Sequence, residues 1–261
     1  MQGEVGALEA MIELPKAFLY EIFSGIQGEG IYVGERELFV RFCDCNLRCP
    51  YCDTKFALEN APACLVERRA GEREFYLYPN PIFPQELIEL VVPLLENKRI
   101  HHSLFLTGGE PLLWSDFLAI FLPQVRYLNL PVTLETNGTL PRELEKLIRW
   151  IDIISMDYKL PSTMEGKDYS RAHREFLRIS KQREVMIKFV ITSQVELKEL
   201  EEALSSLRGE GDFPIILQPV SPIEGILPPP EPKLLKMQEL AKGIFSVVKV
   251  LPQMHKIMEA R

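Results

Sequence analysis

From about residue 84 onward, short apolar runs alternate with longer segments whose apolar residues recur at helical spacing. No other feature of the chain restricts its fold as much. The runs are 103–107, 131–135, 151–155, 185–191, 214–218 and 245–251, and 37–42 reads as a first strand before them. Strands this continuously apolar are buried on both faces, which implies a parallel sheet covered by helices. Between the runs, Leu197, Leu200, Leu204 and Leu207 fall on one face of 195–207, a buried helical stripe. Segment 141–150 opens with Pro141 and Glu143, as a first helical turn does. Segment 84–97 reads as a helix that Pro93 kinks or ends early. Before residue 84 the pattern is less regular, and 75–83 fits either a hairpin or an insertion. The proline-rich stretch 219–232 reads as an extended loop leading to the last helix.

Polar residues stand directly after several runs: Thr107-Gly108-Gly109-Glu110, Thr136-Asn137-Gly138, Asp157 with Lys159, and Gln218. Functional groups gathered at the carboxyl ends of parallel strands are what α/β barrels and open α/β sheets provide. With seven candidate strands and no glycine-rich dinucleotide fingerprint, the expected class is α/β. Its expected form is a partial, modified TIM-type barrel of parallel strands with flanking helices. A length of 261 residues suits one such unit, so 19–261 is expected to be a single domain behind an N-terminal extension, 1–18.

Composition narrows the function classes. Thirty Lys and Arg against 37 Asp and Glu leave a net charge of −7, which argues against an electrostatic grip on nucleic acid. No stretch approaches the apolar length that spans a bilayer. The N-terminal residues lack a basic region followed by an apolar run, so no signal peptide is read there and the cytoplasm is the expected compartment. Four of the five cysteines, Cys43, Cys45, Cys49 and Cys52, crowd into ten residues while Cys64 stands apart. An odd, clustered set in such a chain points to metal or redox chemistry rather than disulfides.

Cys45, Cys49 and Cys52 form C-x3-C-x2-C directly after an apolar strand. Three thiolates on a four-iron cluster leave one iron open to chelate a second molecule, the arrangement of radical S-adenosylmethionine (SAM) enzymes. The competing possibility at this point is a zinc knuckle that uses Cys43 as fourth ligand, since structural zinc closes its site with four ligands. Cys43 and Cys45 share a face on strand alternation, but a small buried hydrophobe is the better reading of Cys43 and of Cys64.

The wider text resembles the 7-carboxy-7-deazaguanine synthase family. The resemblance rests on Glu21-Ile22-Phe23-Ser24-Gly25-Ile26-Gln27-Gly28-Glu29-Gly30, Phe39-Val40-Arg41-Phe42 and the cysteine motif ending in Cys52-Asp53-Thr54. It continues through Thr107-Gly108-Gly109-Glu110-Pro111, Glu135-Thr136-Asn137-Gly138, Lys159-Leu160-Pro161-Ser162, Gln218-Pro219 and Leu251-Pro252-Gln253-Met254-His255-Lys256. The Gln-Gly-Glu-Gly and Pro-Gln-x-His-Lys elements are its family-specific part.

The resemblance implies conversion of 6-carboxy-5,6,7,8-tetrahydropterin to 7-carboxy-7-deazaguanine with loss of ammonia, a step toward queuosine and archaeosine. It implies a 4Fe-4S cluster on Cys45, Cys49 and Cys52 that cleaves S-adenosylmethionine to a 5′-deoxyadenosyl radical, which takes a hydrogen from the pterin and later returns it. It implies cofactor contacts from Tyr51, Asp53, Gly109, Glu110, Asp157, Lys159, Gln218 and Ser221. Where the family often reads Ser-Pro-Lys, this chain has Asp157-Tyr158-Lys159 with Ser155 two residues earlier, so Ser155 joins that set. On the substrate side it implies Ile26, Gln27, Gly28, Glu29, Arg41, Thr107, His255 and the terminal Arg261. The chemistry agrees for three of them: Gln27 offers donor and acceptor, Glu29 accepts from ring N–H groups, and Arg41 can fork a carboxylate. An ordinary Glu29–Arg41 ion pair is the alternative. Thr54 matches the family's Mg2+ position, plausible where a substrate carboxylate and waters complete the shell. A homodimer and an external, flavodoxin-like electron donor are also implied. The runner-up functions are another small radical SAM enzyme, such as a glycyl-radical activase, and a zinc-stabilised binding module.

Overall fold

The computed structural model describes residues 14–96 and 99–259. Most of the N-terminal extension (1–13) and Arg261 lie outside the described residues. The strands are β1 (Leu19–Ile26), β2 (Arg36–Phe42), β3 (Ala63–Glu67), β4 (Phe75–Pro79), β5 (Leu104–Gly108), β6 (Val132–Thr136), β7 (Ile153–Tyr158), β8 (Glu184–Ile191), β9 (Ile215–Pro219) and β10 (Val248–Val250). The helices are α1 (Pro84–Val91), α2 (Ser115–Val125), α3 (Pro141–Leu147), α4 (Ser170–Ser180), α5 (Leu197–Arg208), α6 (Glu231–Lys242) and α7 (Met254–Ile257). All strands join one sheet in the order β10-β9-β8-β7-β6-β5-β2-β1-β3-β4. From β2 through β10 in that order every pairing is parallel. The sheet ends in β10 and β4 rather than closing on itself, so it is a partial barrel.

All seven strands expected from apolar runs are present. Helix α1 stops at Val91 and tightens into a 3-10 turn, Val92–Leu95, at Pro93, whose ring and missing N–H break the α-helical ladder. The segment around 75–83 supplies β4, antiparallel to β3. Strands β1 and β3 were not foreseen. They extend the sheet beyond β2, with β1 antiparallel to β2 and parallel to β3. Ala17, inside the expected extension, bridges Ile82 in both directions (3.0 and 2.8 Å). The loop after β9 leads into α6 as expected, and the short α7 follows β10.

Strand alternation divides the molecule into two sides. Leu38, Val40, Phe42, Leu104, Leu106, Val132, Leu134, Ile154, Met156, Ile187, Phe189, Ile215 and Leu217 belong to the main core beneath the helices. Successive helices from α1 to α6 pack on one another along that face. The stripe on α5 is buried as Leu200, Ala203, Leu204 and Leu207. The opposite phase of the same strands (Phe39, Arg41, Phe105, Thr107, Glu135, Asp157, Lys188 and Gln218) lines the hollow side. No helix among the described residues is long and apolar enough to cross a membrane.

Candidate active site

The hollow side is a cavity of about 1240 Å³ counted with its open mouth. Its wall draws on the carboxyl ends of the parallel strands, on the loop after β2 and on the C-terminal segment.

Strand β2 delivers the cysteine loop. Asp44 takes a left-handed conformation (φ 62°), and its own carboxylate accepts the Cys45 N–H at 2.7 Å. This turn breaks strand alternation, so Cys45 reaches the cavity while Cys43 does not. Cys43 is fully buried, with its carbonyl held by Trp114 Nε1 at 2.9 Å and its thiol beside Ala61. The shared face expected for Cys43 and Cys45 is therefore corrected, and with it goes the fourth ligand of a zinc knuckle. Cys45, Cys49 and Cys52 all line the cavity. Their sulfurs do not gather within 4.8 Å as a set. Structural zinc closes its site with four protein ligands, so three thiols without a fourth suit a cluster that keeps one iron open better. Burial pushes the Cys45 thiol up to about 11 and raises Cys49 as well. Metal coordination is what strips protons from such thiols.

The Gly-Gly turn after β5 is fitted to this loop. A Cβ on Gly109 would lie 1.8 Å from the Asp44 carbonyl oxygen, and one on Gly108 (φ 129°) 2.1 Å from that of Phe42. The Gly109 and Glu110 N–H groups donate to Phe42 (3.0 Å) and Asp44 (2.8 Å). The glycines thus let two strand ends touch, whatever else approaches Gly109. The Glu110 carboxylate is fully buried and off the cavity wall. It accepts from Leu112 N (3.1 Å), Thr136 Oγ1 (2.8 Å) and Asn137 N (2.8 Å), while burial pushes its pKa up to about 7.

Two buried lysines organise the middle of the cavity. Lys159 donates to Asp157 Oδ2 at 3.0 Å and sits 5.4 Å above the Tyr51 ring. Lys188 contacts Glu29 Oε2, Glu135 Oε1 (2.9 Å) and Asp157 Oδ1 (3.1 Å). Burial is the largest single effect and would lower both lysines, but Asp157 with Tyr51 and Cys49 for Lys159, and Asp157 with Glu135 and Glu29 for Lys188, together outweigh it and raise both well above the ordinary value. Burial opposes the charge on Asp157 too, yet the two lysines hold it below the usual carboxylate range. Thr107 Oγ1 donates to Glu135 Oε2 at 2.6 Å. Gln218 lines the wall with its buried Oε1 unpartnered, an acceptor aimed where a ligand would lie.

The mouth joins the two ends of the sequence. The Met254 N–H donates to the Gly28 carbonyl at 2.9 Å. Gln253 Nε2 donates to Glu29 Oε1 (2.9 Å) and Asp53 Oδ2 (2.7 Å), and Lys256 lies 3.2 Å from Asp53. Against the burial that would raise it, His255, Lys256 and Gln253 hold the Asp53 carboxyl well below its ordinary range. Glu29, Asp53 and His255 each bring one ligand atom within 4.8 Å of the others. Gln27 turns back on its own chain, its Oε1 accepting the Glu29 N–H at 3.0 Å. The Glu29–Arg41 pair does not form, because Arg41 Nε donates to Glu21 at 2.8 Å and Glu29 is taken by Lys188. A Cβ at Gly28 would meet the His255 backbone nitrogen at 2.6 Å. Gly28→Ala is therefore expected to unseat the C-terminal segment and raise KM for the substrate about tenfold, the equivalent of about 1.4 kcal/mol. Cofactor cleavage is expected to persist, and steady-state kinetics of both products check this.

Of the residues singled out from sequence, Cys45, Cys49, Cys52, Tyr51, Asp53, Thr54, Gly109, Asp157, Lys159 and Gln218 line this one cavity, as do Ile26, Gln27, Gly28, Glu29, Arg41, Thr107 and His255. Ser155 and Ser221, like Glu110, are not on its wall. Lys188, Glu135, Asn137 and Gln253 line it without having been assigned a role. Lys188 carried a readable signal, a lone charge inside the apolar run 185–191 and in phase with the cavity side.

A family model, the Radical SAM superfamily, matches residues 40–181. A 7-carboxy-7-deazaguanine synthase of Geobacter sulfurreducens is 40% identical over 250 residues, covering 94% of this chain and 98% of its own. One of Methanopyrus kandleri is 36% identical and covers 94% of each chain. Among solved structures, QueE from Escherichia coli aligns with a TM-score of 0.58 at 18% identity, covering 92% of this chain and 95% of that one. A radical SAM methyltransferase from Sphaerobacter thermophilus gives 0.57 at 14% identity over 84% of this chain and 70% of its own. At such identities the structural likeness speaks for the fold alone.

Proposed function

The chain belongs to the radical SAM superfamily and, within it, to the 7-carboxy-7-deazaguanine synthase family, and from that premise we propose that it converts 6-carboxy-5,6,7,8-tetrahydropterin to 7-carboxy-7-deazaguanine with release of ammonia. The observation that carries this reading is a single cavity whose wall brings three thiols together with Arg41, Glu29 and Glu135. The three thiols fit an iron–sulfur cluster and the unpartnered Gln218 Oε1 fits a second ligand on the same wall. A 4Fe-4S cluster on Cys45, Cys49 and Cys52 with S-adenosylmethionine supplies hydrogen-abstracting, one-electron chemistry that no side chain offers.

The protein's own part is orientation and charge. Arg41 takes the pterin carboxylate. Glu29 and Glu135, beside the Lys188 ammonium, serve as acceptors for N–H groups on the pterin edge. Thr107 fixes Glu135, and Gln253 with His255 holds the mouth around Glu29. Gln218, Tyr51, Asp157 and Lys159 face the cofactor. Thr54 offers Mg2+ one hydroxyl on the wall, 3.6 Å from Cys52 Sγ, with water and the substrate carboxylate to complete its shell. Residues 19–261 then act as one catalytic unit in the cytoplasm, as a homodimer served by a flavodoxin-like donor.

Anaerobic turnover by the reconstituted enzyme tests this, with S-adenosylmethionine, Mg2+, a reductant and the carboxypterin, products being followed by mass spectrometry. 7-Carboxy-7-deazaguanine is the expected product. Formation of 5′-deoxyadenosine without it would keep the radical chemistry and overturn the substrate, and a colourless, zinc-loaded protein that cleaves nothing would overturn both.

A further inference from the structure

Lys188 stands at the centre of β8 among apolar residues, and its ammonium has only three protons to give. The ammonium hydrogen-bonds two carboxylates and stands within ion-pair distance of a third, each from a separate part of the chain. These are Glu29 in the loop after β1, Glu135 on β6 at 2.9 Å and Asp157 on β7 at 3.1 Å. Two of these are the carboxylates assigned to the pterin, Glu29, also held by Gln253, and Glu135, held by Thr107. The third is linked to the groups assigned to the cofactor, because the other Asp157 oxygen holds Lys159 at 3.0 Å, and Lys159 lies over Tyr51 in the cysteine loop. Lys188 thus ties the two sets of groups together through one buried atom. Nothing in the core needs a charge at this position. Its neighbours Ile187 and Phe189 pack in the main core, and Val190 belongs to a separate apolar cluster at the cysteine loop.

We propose that Lys188 is a positioning residue that sets the placement of substrate relative to cofactor, so that cofactor cleavage and hydrogen removal from the pterin remain coupled. The proposal rests on the reaction assigned above. An error of about 1 Å in such a placement costs roughly 10²-fold in rate.

The test compares Lys188→Met, Lys188→Gln and Lys188→Arg with the unaltered enzyme, all reconstituted. The readouts are iron content, the change in the reduced cluster's EPR spectrum on adding S-adenosylmethionine, and 5′-deoxyadenosine formed per deazaguanine. Affinity for 6-carboxypterin, an oxidised analogue with no hydrogen on the carboxyl-bearing carbon, is measured by calorimetry. Both neutral variants are expected to load iron and show the EPR change. Their deazaguanine yield should fall about 10²-fold while cofactor cleavage continues, with kcat dropping more than KM rises. Lys188→Arg, which keeps the charge, is expected to recover most of the coupling. A neutral variant with the unaltered ratio of the two products overturns the proposal. So does failure of both neutral variants to load iron while Lys188→Arg loads it, since that marks a structural role. If the unaltered enzyme makes no deazaguanine, the assigned reaction itself falls and this proposal with it. If it does and the neutral variants stay coupled, only Lys188 was misassigned.

Discussion

Cys49→Ala is expected to leave a folded protein that binds at most residual iron and forms no detectable deazaguanine or 5′-deoxyadenosine. The three cavity thiols sit on one loop after β2, and among the described residues no other cysteine lines the cavity to replace a missing ligand. Cys43 is the nearest in sequence, but the turn at Asp44 and the hydrogen bond from Trp114 fix it on the core side. The paired variant Cys43→Ala is therefore expected to stay brown and active, losing only about 1 kcal/mol for one buried sulfur. Iron analysis, absorption spectra and turnover of the two variants side by side make the comparison. Loss of the cluster in Cys43→Ala would reinstate a four-cysteine site.

Gly109→Ala is expected to cost as much activity by a different route. The added methyl would lie 1.8 Å from the Asp44 carbonyl oxygen and 3.2 Å from Cys45 Cβ, and the nearer neighbour is backbone. Either the cysteine loop or the end of β5 must move, breaking the Gly109–Phe42 and Glu110–Asp44 hydrogen bonds that join them. Overpacking of this kind costs about 3 kcal/mol. We expect a lowered midpoint of thermal unfolding together with poor cluster loading, because the displaced atoms carry Cys45. A variant that loads iron normally would show that Gly109 is not needed for the fit between loop and strand.

How much of this was legible depended on whether the deciding partner was near in sequence. The run 185–191 announced β8, and Ile187 and Phe189 of that strand lie in the core. Strand β1 was harder to see because Glu21 and Ser24 interrupt it, and both are buried. Their satisfaction comes from Arg41, and from Arg36 and His101, 20, 12 and 77 residues away. Alternation misplaced Cys43 because the left-handed turn at Asp44 depends on a local side-chain hydrogen bond that periodicity does not encode. Motif resemblance pointed to Gln-Gly-Glu-Gly and to the C-terminal element separately. That Gln253 bonds Glu29, 224 residues away, only the fold could reveal.

Direct contact between cofactor and pterin in one cavity is what the assigned reaction depends on. It is tested most directly with a carboxytetrahydropterin carrying deuterium on its reduced ring carbons, turned over anaerobically by the reconstituted enzyme. Deuterium recovered in 5′-deoxyadenosine or returned to S-adenosylmethionine is the predicted result. Deazaguanine formed while both remain free of label would contradict it.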